Sequence, residues 1–566
     1  MAGVANVTVE LGAESRAELA RLTAAIEADE ARRIEIADLQ NAADISSRLQ
    51  RLLAQRRTVY LPSGRYVLDA STLEIPPGCR LLSTGGAVIE CHHSPASHPF
   101  VRLSSGVRVG GITFEALGGP PTGTGAIMIG IDAEDVYLTE VTIRGTGETG
   151  LPVIGAQTGL SLWGCRNVRA HRLRVTGSVC GAYGVEIIGG ADHVYTLGDF
   201  SANSADGVKV MGSAAYGIPR RMLWESCEAN YNGRAVAGDE FPIDRVIDQG
   251  GSGSQVIPGP GRWFVRSVSR PLSLVLPSAP GIYVLKIGKP GAPVRVTYGA
   301  HVVALTNPRL VYRFTCDDAA QWTADNWTNG EGWDVSGVDL AWDRCRAEVN
   351  SGGGFQVKPG TVAGSDTSGI RYRECVASRQ IDGNGFAVVN NSAGTVVPTD
   401  ILYDDCRADD NAEAGFAVTT GLARHVQWRG GSADRNGGAG VLLQEWTRDA
   451  RLAGVRLAGN GVAQGGAGYN LVARGGHRIH LADLFVAGVS ATGSPNVVDA
   501  AYNDRQRATC RGAYLLADTG AGETAQEWSG YIYAHNVPVP VCDVYANPST
   551  AGDKDAWYPM VGSYRQ

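Results

Sequence analysis

Of the carboxylates between residues 186 and 244, five form the candidate cluster beside short glycine-bounded apolar runs: Glu186, Asp206, Asp239, Glu240 and Asp244. Asp206 immediately precedes Gly207-Val208, and Asp239 and Glu240 precede Phe241 in the equivalent place one unit later. Glycosidic hydrolysis needs two carboxyl groups roughly 5 to 9.5 Å apart, one as acid and the other as base or nucleophile. Asp206, Asp239 and Glu240 are therefore the candidate catalytic residues. Glu186, Asp244, Lys209 and Arg234 are candidate carbohydrate contacts, the two cations suiting acidic sugars. The competing reading is that these acids solvate turns by bonding their own backbone. A second acidic group, Asp404, Asp405, Asp409, Asp410 and Glu413, reads as solvated turn surface of that kind. No Cys-x-x-Cys pair and no EF-hand spacing occurs, so neither a cofactor nor a metal site is expected.

The elements that must position these groups are legible as a repeat. One unit runs Cys-x-Ala, a variable stretch, then Gly, an apolar residue, x and Val. It occurs at Cys345 to Val357, Cys375 to Val388 and Cys406 to Val418, with weaker copies at Gly431 to Leu443 and Phe200 to Val210. Cys227 to Ile243 is a diverged copy. Short β-branched runs of period two sit between Gly/Asn/Asp turns, as in GVEIIGG and GFAVVNN, and no helical period fits inside a unit. Each unit is thus one coil of a parallel β-helix, about ten coils over residues 60 to 490, in which like residues stack inside. Cys227, Cys345, Cys375 and Cys406 are expected to form an internal thiol ladder extended by Phe200. Phe355, Phe386 and Phe416 are expected to form an aromatic one.

Composition agrees. The 566 residues include 75 glycines, nearly twice the usual roughly 7%, which fits many tight turns. A net charge of −7 argues against a nucleic-acid partner. The longest apolar runs are too short to span a bilayer, and the N-terminus lacks the pattern of a secretion signal. Eleven cysteines, an odd number in a long chain, favour buried thiols over a disulfide framework.

Ile45, Leu49, Leu52 and Leu53 fall at helical spacing with Asp44 as N-cap, and TVYLPSGRYVL and GCRLLS follow. This block, Ile45 to Ser83, resembles the start of pectate-lyase-like right-handed β-helices. With the glycine-rich body, the whole from about 45 to 490 resembles bacteriophage tailspikes and related receptor-binding spikes. The resemblance implies an all-β, right-handed parallel β-helix with short N-terminal helices and a C-terminal β cap. It implies a homotrimeric virion-surface protein that attaches a phage or phage-like particle to host capsule or O-antigen, with or without cleaving it. The alternative is a non-virion bacterial polysaccharide lyase, hydrolase or epimerase of the same class. The polygalacturonase pattern is incomplete: Asn203-Ser204-Ala205-Asp206 and Gly238-Asp239-Glu240 are present, but Gly-His-Gly is absent.

Residues 1–42 read as a helical virion-docking or coiled-coil segment that would meet a tail or capsid adaptor. Capping helix and first solenoid part fill 43–248, the second part 339–490, and 491–566 a cap or trimerisation element. Between them, 249–338 read as an inserted antiparallel β module. Its Trp322, Trp327 and Trp333 either stack on sugar rings or fill the module's own core.

Overall fold

The protein is described by a computed structural model covering residues 44–515 with internal breaks, among them 117–124, 146–156, 234–244 and 462–470. The N-terminal helical segment and most of the C-terminal cap lie outside the described residues.

Helix α1, Ser46–Gln55, covers the open end of the solenoid. Asp44 caps it: its carboxylate accepts from the Ser46 amide at 3.0 Å and also from the Asp69 amide of the first coil. Ile45, Leu49 and Leu53 are buried in the same core as the strands behind them. The strands Thr58–Leu61 and Gly64–Leu68 then both pair in parallel with Arg80–Cys91.

From there the chain winds as a parallel β-solenoid of three faces, with sheets of seventeen, thirteen and seven strands. Inside, residues of one type stack rung on rung. Trp333, Phe355, Phe386 and Phe416 form one ring column, with centroids 4.6 to 5.0 Å apart. Tyr195, Trp224, Trp342, Tyr372, Tyr403 and Trp428 form a second. Cys227, Cys345, Cys375 and Cys406 are free and buried in the expected column. Gly198, rather than Phe200, continues that column, because its amide meets the Cys227 sulfur; Phe200 lies two positions on, level with Ala229. The ladder also passes residue 490, with Val497–Asp499 and Tyr514–Leu515 pairing onto preceding coils.

A third column is polar. Asn203, Asn232, Asn350, Gln380, Asn411, Asn436 and Asn460 are all buried at one bend of successive coils. The backbone amide of each donates to the side-chain oxygen of the next, at 2.9 to 3.2 Å. Most of the side-chain amides donate to buried carbonyls, such as Asn411 Nδ2 to Ala377 and Asn436 Nδ2 to Ala408. The residue before each has positive φ, including Val349 at 54° and Tyr231 at 58°. Side chains pay for that conformation, and the ladder offsets it.

The insertion occupies this bend. The solenoid is left after Gly233 and resumed at Gly330, while Asn232 bonds Asn350 across the gap as if nothing intervened. Trp333–Val335 and Val338–Asp343 are therefore solenoid strands, and Arg245–Ile247 already pairs within the insertion. The insertion has its own core, and its pairing corrects the antiparallel expectation. Arg245–Ile247, Gly261–Val265 and Gly281–Ile287 pair in parallel, as do Gly253–Val256, Leu272–Leu276 and Val294–Tyr298. Among the described residues, His301–Leu305, Leu310–Cys316 and Trp322–Thr328 close it antiparallel. Alternation sets which face a strand buries, not the direction of its neighbour.

Asn411→Ala, which removes a mid-ladder oxygen and amide, is expected to cost about 1–3 kcal/mol by leaving the Gln380 amide unpaired. A lowered denaturation midpoint measured by circular dichroism checks this.

Candidate functional site

Four consecutive rungs of the thirteen-stranded sheet carry the site: Val185–Ile188, Val208–Met211, Trp333–Val335 and Phe355–Val357. Alternation points Val185, Val208, Trp333 and Phe355 into the core, so Glu186, Lys209, Asp334 and Gln356 line up on the outer side. Three residues upstream, at the bend after the asparagine ladder, stand Tyr183, Asp206 and Glu331.

Asp206, Glu331 and Asp334 bring carboxylate oxygens within 4.8 Å of one another. Two ammonium groups answer them. Lys209 pairs with Asp334 and, at 3.5 Å, with Asp206; Lys358 pairs with Asp334 at 2.5 Å. Asp206 is 4% exposed, Asp334 2%, and the Lys209 side chain 15%. Three acids against two fixed cations leave one acid that best keeps its proton. Glu331 is that acid. Burial, then Asp206 and Asp334, push its carboxyl well above the usual carboxylate range. Burial opposes the charge on Asp206, but Lys209 and the Glu331 side chain hold it below that range. Lys209 is pushed up by Asp206 and Asp334 against the cost of its burial.

The backbone fixes this pair. The Glu331 amide donates to Asp206 Oδ1 at 3.0 Å, the Gly330 amide to Ser351 Oγ, and Gln356 Nε2 to Glu331 Oε1. Glu331 is partly buried, where Asp206 and Asp334 are buried. Tyr183 lies over the Lys209 ammonium at 5.7 Å, and burial raises its hydroxyl. Glu186 accepts from Trp163 Nε1 at 3.0 Å and Ser161 Oγ at 3.2 Å, on the preceding rung.

The fold thus brings Glu186, Asp206 and Lys209 to one face. Asp239, Glu240, Asp244 and Arg234 lie outside the described residues. Trp333 is a correction: it is fully buried in the solenoid, stacked on Phe355, and offers no face to a sugar. Trp322 packs against Tyr283 and Tyr298 in the insertion's core; the Trp327 side chain lies outside the described residues. The second acidic group is not simple turn surface. Asp409 is buried and paired with Arg407, and Asp410 meets Arg435 with both oxygens. Glu331, Asp334, Lys358 and Tyr183 were not among the sequence candidates. The signal for the two acids was present: Glu331-Gly332-Trp333-Asp334-Val335 matches Asp206-Gly207-Val208-Lys209-Val210 position for position.

No protein-family model matches the sequence, and no curated protein matches it. Solved structures resemble its fold. The A-module of the Azotobacter vinelandii mannuronan C-5 epimerase AlgE4 is 13% identical, with a TM-score of 0.41 over 85% of this chain and 94% of that one. Tailspike protein 3 of bacteriophage CBA120 is 9% identical, with a TM-score of 0.36 over 87% of this chain and 64% of that one. PfbA, a surface adhesin of Streptococcus pneumoniae, is 10% identical, with a TM-score of 0.33 over 85% and 87%. Likeness at this level concerns the β-solenoid alone.

Because Glu331 holds its proton in the folded chain above the pH at which the unfolded chain releases it, this residue makes stability fall as pH rises through that window. Glu331→Gln is expected to flatten that slope. Denaturant midpoints of wild type and variant from pH 4 to 8 (roughly the range where carboxylates titrate) test it.

Proposed function

We propose that this β-solenoid is a spike that binds a surface polysaccharide and hydrolyses it, with Glu331 as general acid. The carrying observation is the cluster of three carboxyl groups on one face, in which the Glu331 carboxyl is pushed well above the usual range by burial and by Asp206 while Asp206 is held below it. Opposed ionisation of adjacent carboxyl groups is how one site supplies acid at neutral pH. Glu331 gives its proton to the glycosidic oxygen. Asp206, nearly buried, acts as a positioning residue that keeps that proton in place. Glu186 is the candidate base. It sits two rungs away on the same sheet, in line with Asp334 and three residues out of register with Glu331. Lys209 and Lys358 are paired with Asp206 and Asp334 and hold those two acids in place. The insertion is rooted at Gly233 and Gly330, next to Glu331 in the chain, and in this reading it walls the site on one side.

The virion role rests on the resemblance of the capping block, residues 45–83, to spike β-helices. A homotrimer bound to a tail or capsid adaptor through residues 1–42, and displayed on the virion surface, is the assembly that resemblance implies. Host capsule or O-antigen is the partner it implies.

Glu331→Gln is expected to lower turnover of the cognate polysaccharide by about 10²–10⁴-fold while binding persists. Reducing ends should appear with wild type, without products that absorb as unsaturated uronates. Unsaturated products would mean elimination and overturn the acid assignment. Undiminished turnover by the variant would overturn it as well.

A further inference from the structure

The thirteen-stranded sheet carries a second outward row, which the chemistry at Glu331 does not use. Ile131, Trp163, Ile188 and Met211 are register partners on four successive rungs. Leu162, Ile187 and Val210, one position before, are buried in the core, so the row faces out. It runs two residues beyond the row of Ser161, Glu186 and Lys209. Ile131 is 38% exposed, and Trp163, Ile188 and Met211 are partly exposed. Outward positions elsewhere on the solenoid carry ion pairs across rungs, as Arg172 with Glu140, Arg344 with Glu225 and Arg379 with Glu348. A contiguous apolar row on a water-facing sheet is the kind of surface that takes a ligand.

Two aromatic rings are held at this row. Trp163 is pinned by its Nε1, which donates to Glu186 Oε2 at 3.0 Å. Tyr216 belongs to a turn from Ser213 to Gly217, closed by two backbone bonds and by the Tyr216 amide donating to Ser213 Oγ. That turn folds back onto Gly164 and Gly189, both at a φ of 67°. A Cβ on Gly189 would lie 2.0 Å from the Tyr216 carbonyl oxygen, and one on Gly164 would lie 3.0 Å from the Tyr216 ring. The two glycines thus admit the turn, and the Tyr216 ring rests 5.9 Å from the Trp163 ring at 40° to it. Both rings stay partly exposed. The Ser161 hydroxyl and the indole both donate to Glu186 Oε2, which leaves Oε1 free among the described residues. Asp132 Oδ1 also reaches the Gly164 position, beside Tyr216.

We propose that Trp163 and Tyr216 form a stacking subsite for a neutral hexopyranose unit of the polysaccharide. This rests on the reading above that the face takes such a polymer, and it adds the class of sugar. An indole or phenol face matches the C–H face of a pyranose, and the side chains of Ile131 and Ile188 extend the apolar floor on either side of Trp163. Glu186 Oε1, next to the pinned indole, accepts from a ring hydroxyl. Glu186 and Asp132 repel a uronate carboxylate at this place, and Lys209, on the rung after Glu186, is already taken by Asp206 and Asp334. A chain lying along the solenoid axis is gripped here three rungs from Asp334.

The test uses the full chain in the Glu331→Gln background. Gluco-, manno- and galacto-oligosaccharides are titrated by calorimetry and tryptophan fluorescence, with galacturonate oligomers as the charged counterpart. A neutral oligomer is expected to bind, and galacturonate to bind more weakly. Trp163→Ala is expected to weaken the neutral oligomer about tenfold or more, and Trp163→Phe, which keeps a ring, by about threefold or less. Tyr216→Ala, on a surface turn, should also weaken it and reads the same loss if Trp163→Ala lowers the thermal midpoint. No neutral oligomer bound by the parent, preference for galacturonate, or undiminished binding by Trp163→Ala and Tyr216→Ala would each overturn the proposal. A change of oligomeric state in Trp163→Ala, in place of lost sugar binding, would assign the row to a contact between copies and overturn it too. Reducing ends released by the Glu331→Gln protein itself would overturn the acid assignment and leave the binding differences among these variants to be read.

Discussion

The buried amide ladder is the constraint on which the rest depends. A β-solenoid coil must bend between its faces, and at one bend of the coils from Asn203 to Asn460 a residue enters the left-handed region just before a buried Asn or Gln. Without a partner, the amide that follows would be an orphaned donor in an apolar interior, at a cost of about 1–3 kcal/mol. The side chain of the next coil supplies that partner, and its own amide is answered one coil further on. Bending and stacking become one cooperative act, and each coil is indexed to its neighbour to within a hydrogen bond.

That indexing explains why an insertion of this length is tolerated. Asn232 and Asn350 meet as direct neighbours though 118 residues separate them, so the bend is closed before the chain departs at Gly233 and after it returns at Gly330. The first groups beyond the ladder are Asp206 on one coil and Glu331 on the next. Their proximity follows from the ladder, and their shared proton follows from their proximity. Lys209 and Lys358, on the same face, supply too little positive charge to ionise all three acids. The chemistry of the face is thus set by a structural device one bend away.

How much of this the sequence discloses depends on how strictly a position repeats. The cysteine and phenylalanine positions repeat with one residue type each and stack as read, although Gly198 rather than Phe200 extends the thiol column and Trp333 extends the other. The capping helix is likewise legible, because Asp44 and the Ile45, Leu49, Leu53 spacing are local signals. The amide ladder is harder to see. It lies a constant five residues after Cys227, Cys345, Cys375 and Cys406, but inside the stretch of the repeat that varies in length, and Gln380 interrupts its type. Of the site, Glu186, Asp206 and Lys209 were visible, being part of well-formed units. Glu331 and Asp334 are hidden because the sequence places the tryptophan between them in the insertion. Trp333 substitutes for Phe in a stacking column, and only three-dimensional register shows that an indole there continues the phenyl stack.

The central claim is that one carboxyl of this face stays protonated in the folded protein at neutral pH. Carbon-13 NMR of protein labelled at glutamate side-chain carboxyls reads it directly. One glutamate resonance at the protonated-acid shift at pH 7, absent from Glu331→Gln, is the predicted result. A spectrum in which every glutamate carboxyl is ionised by pH 6 would contradict it.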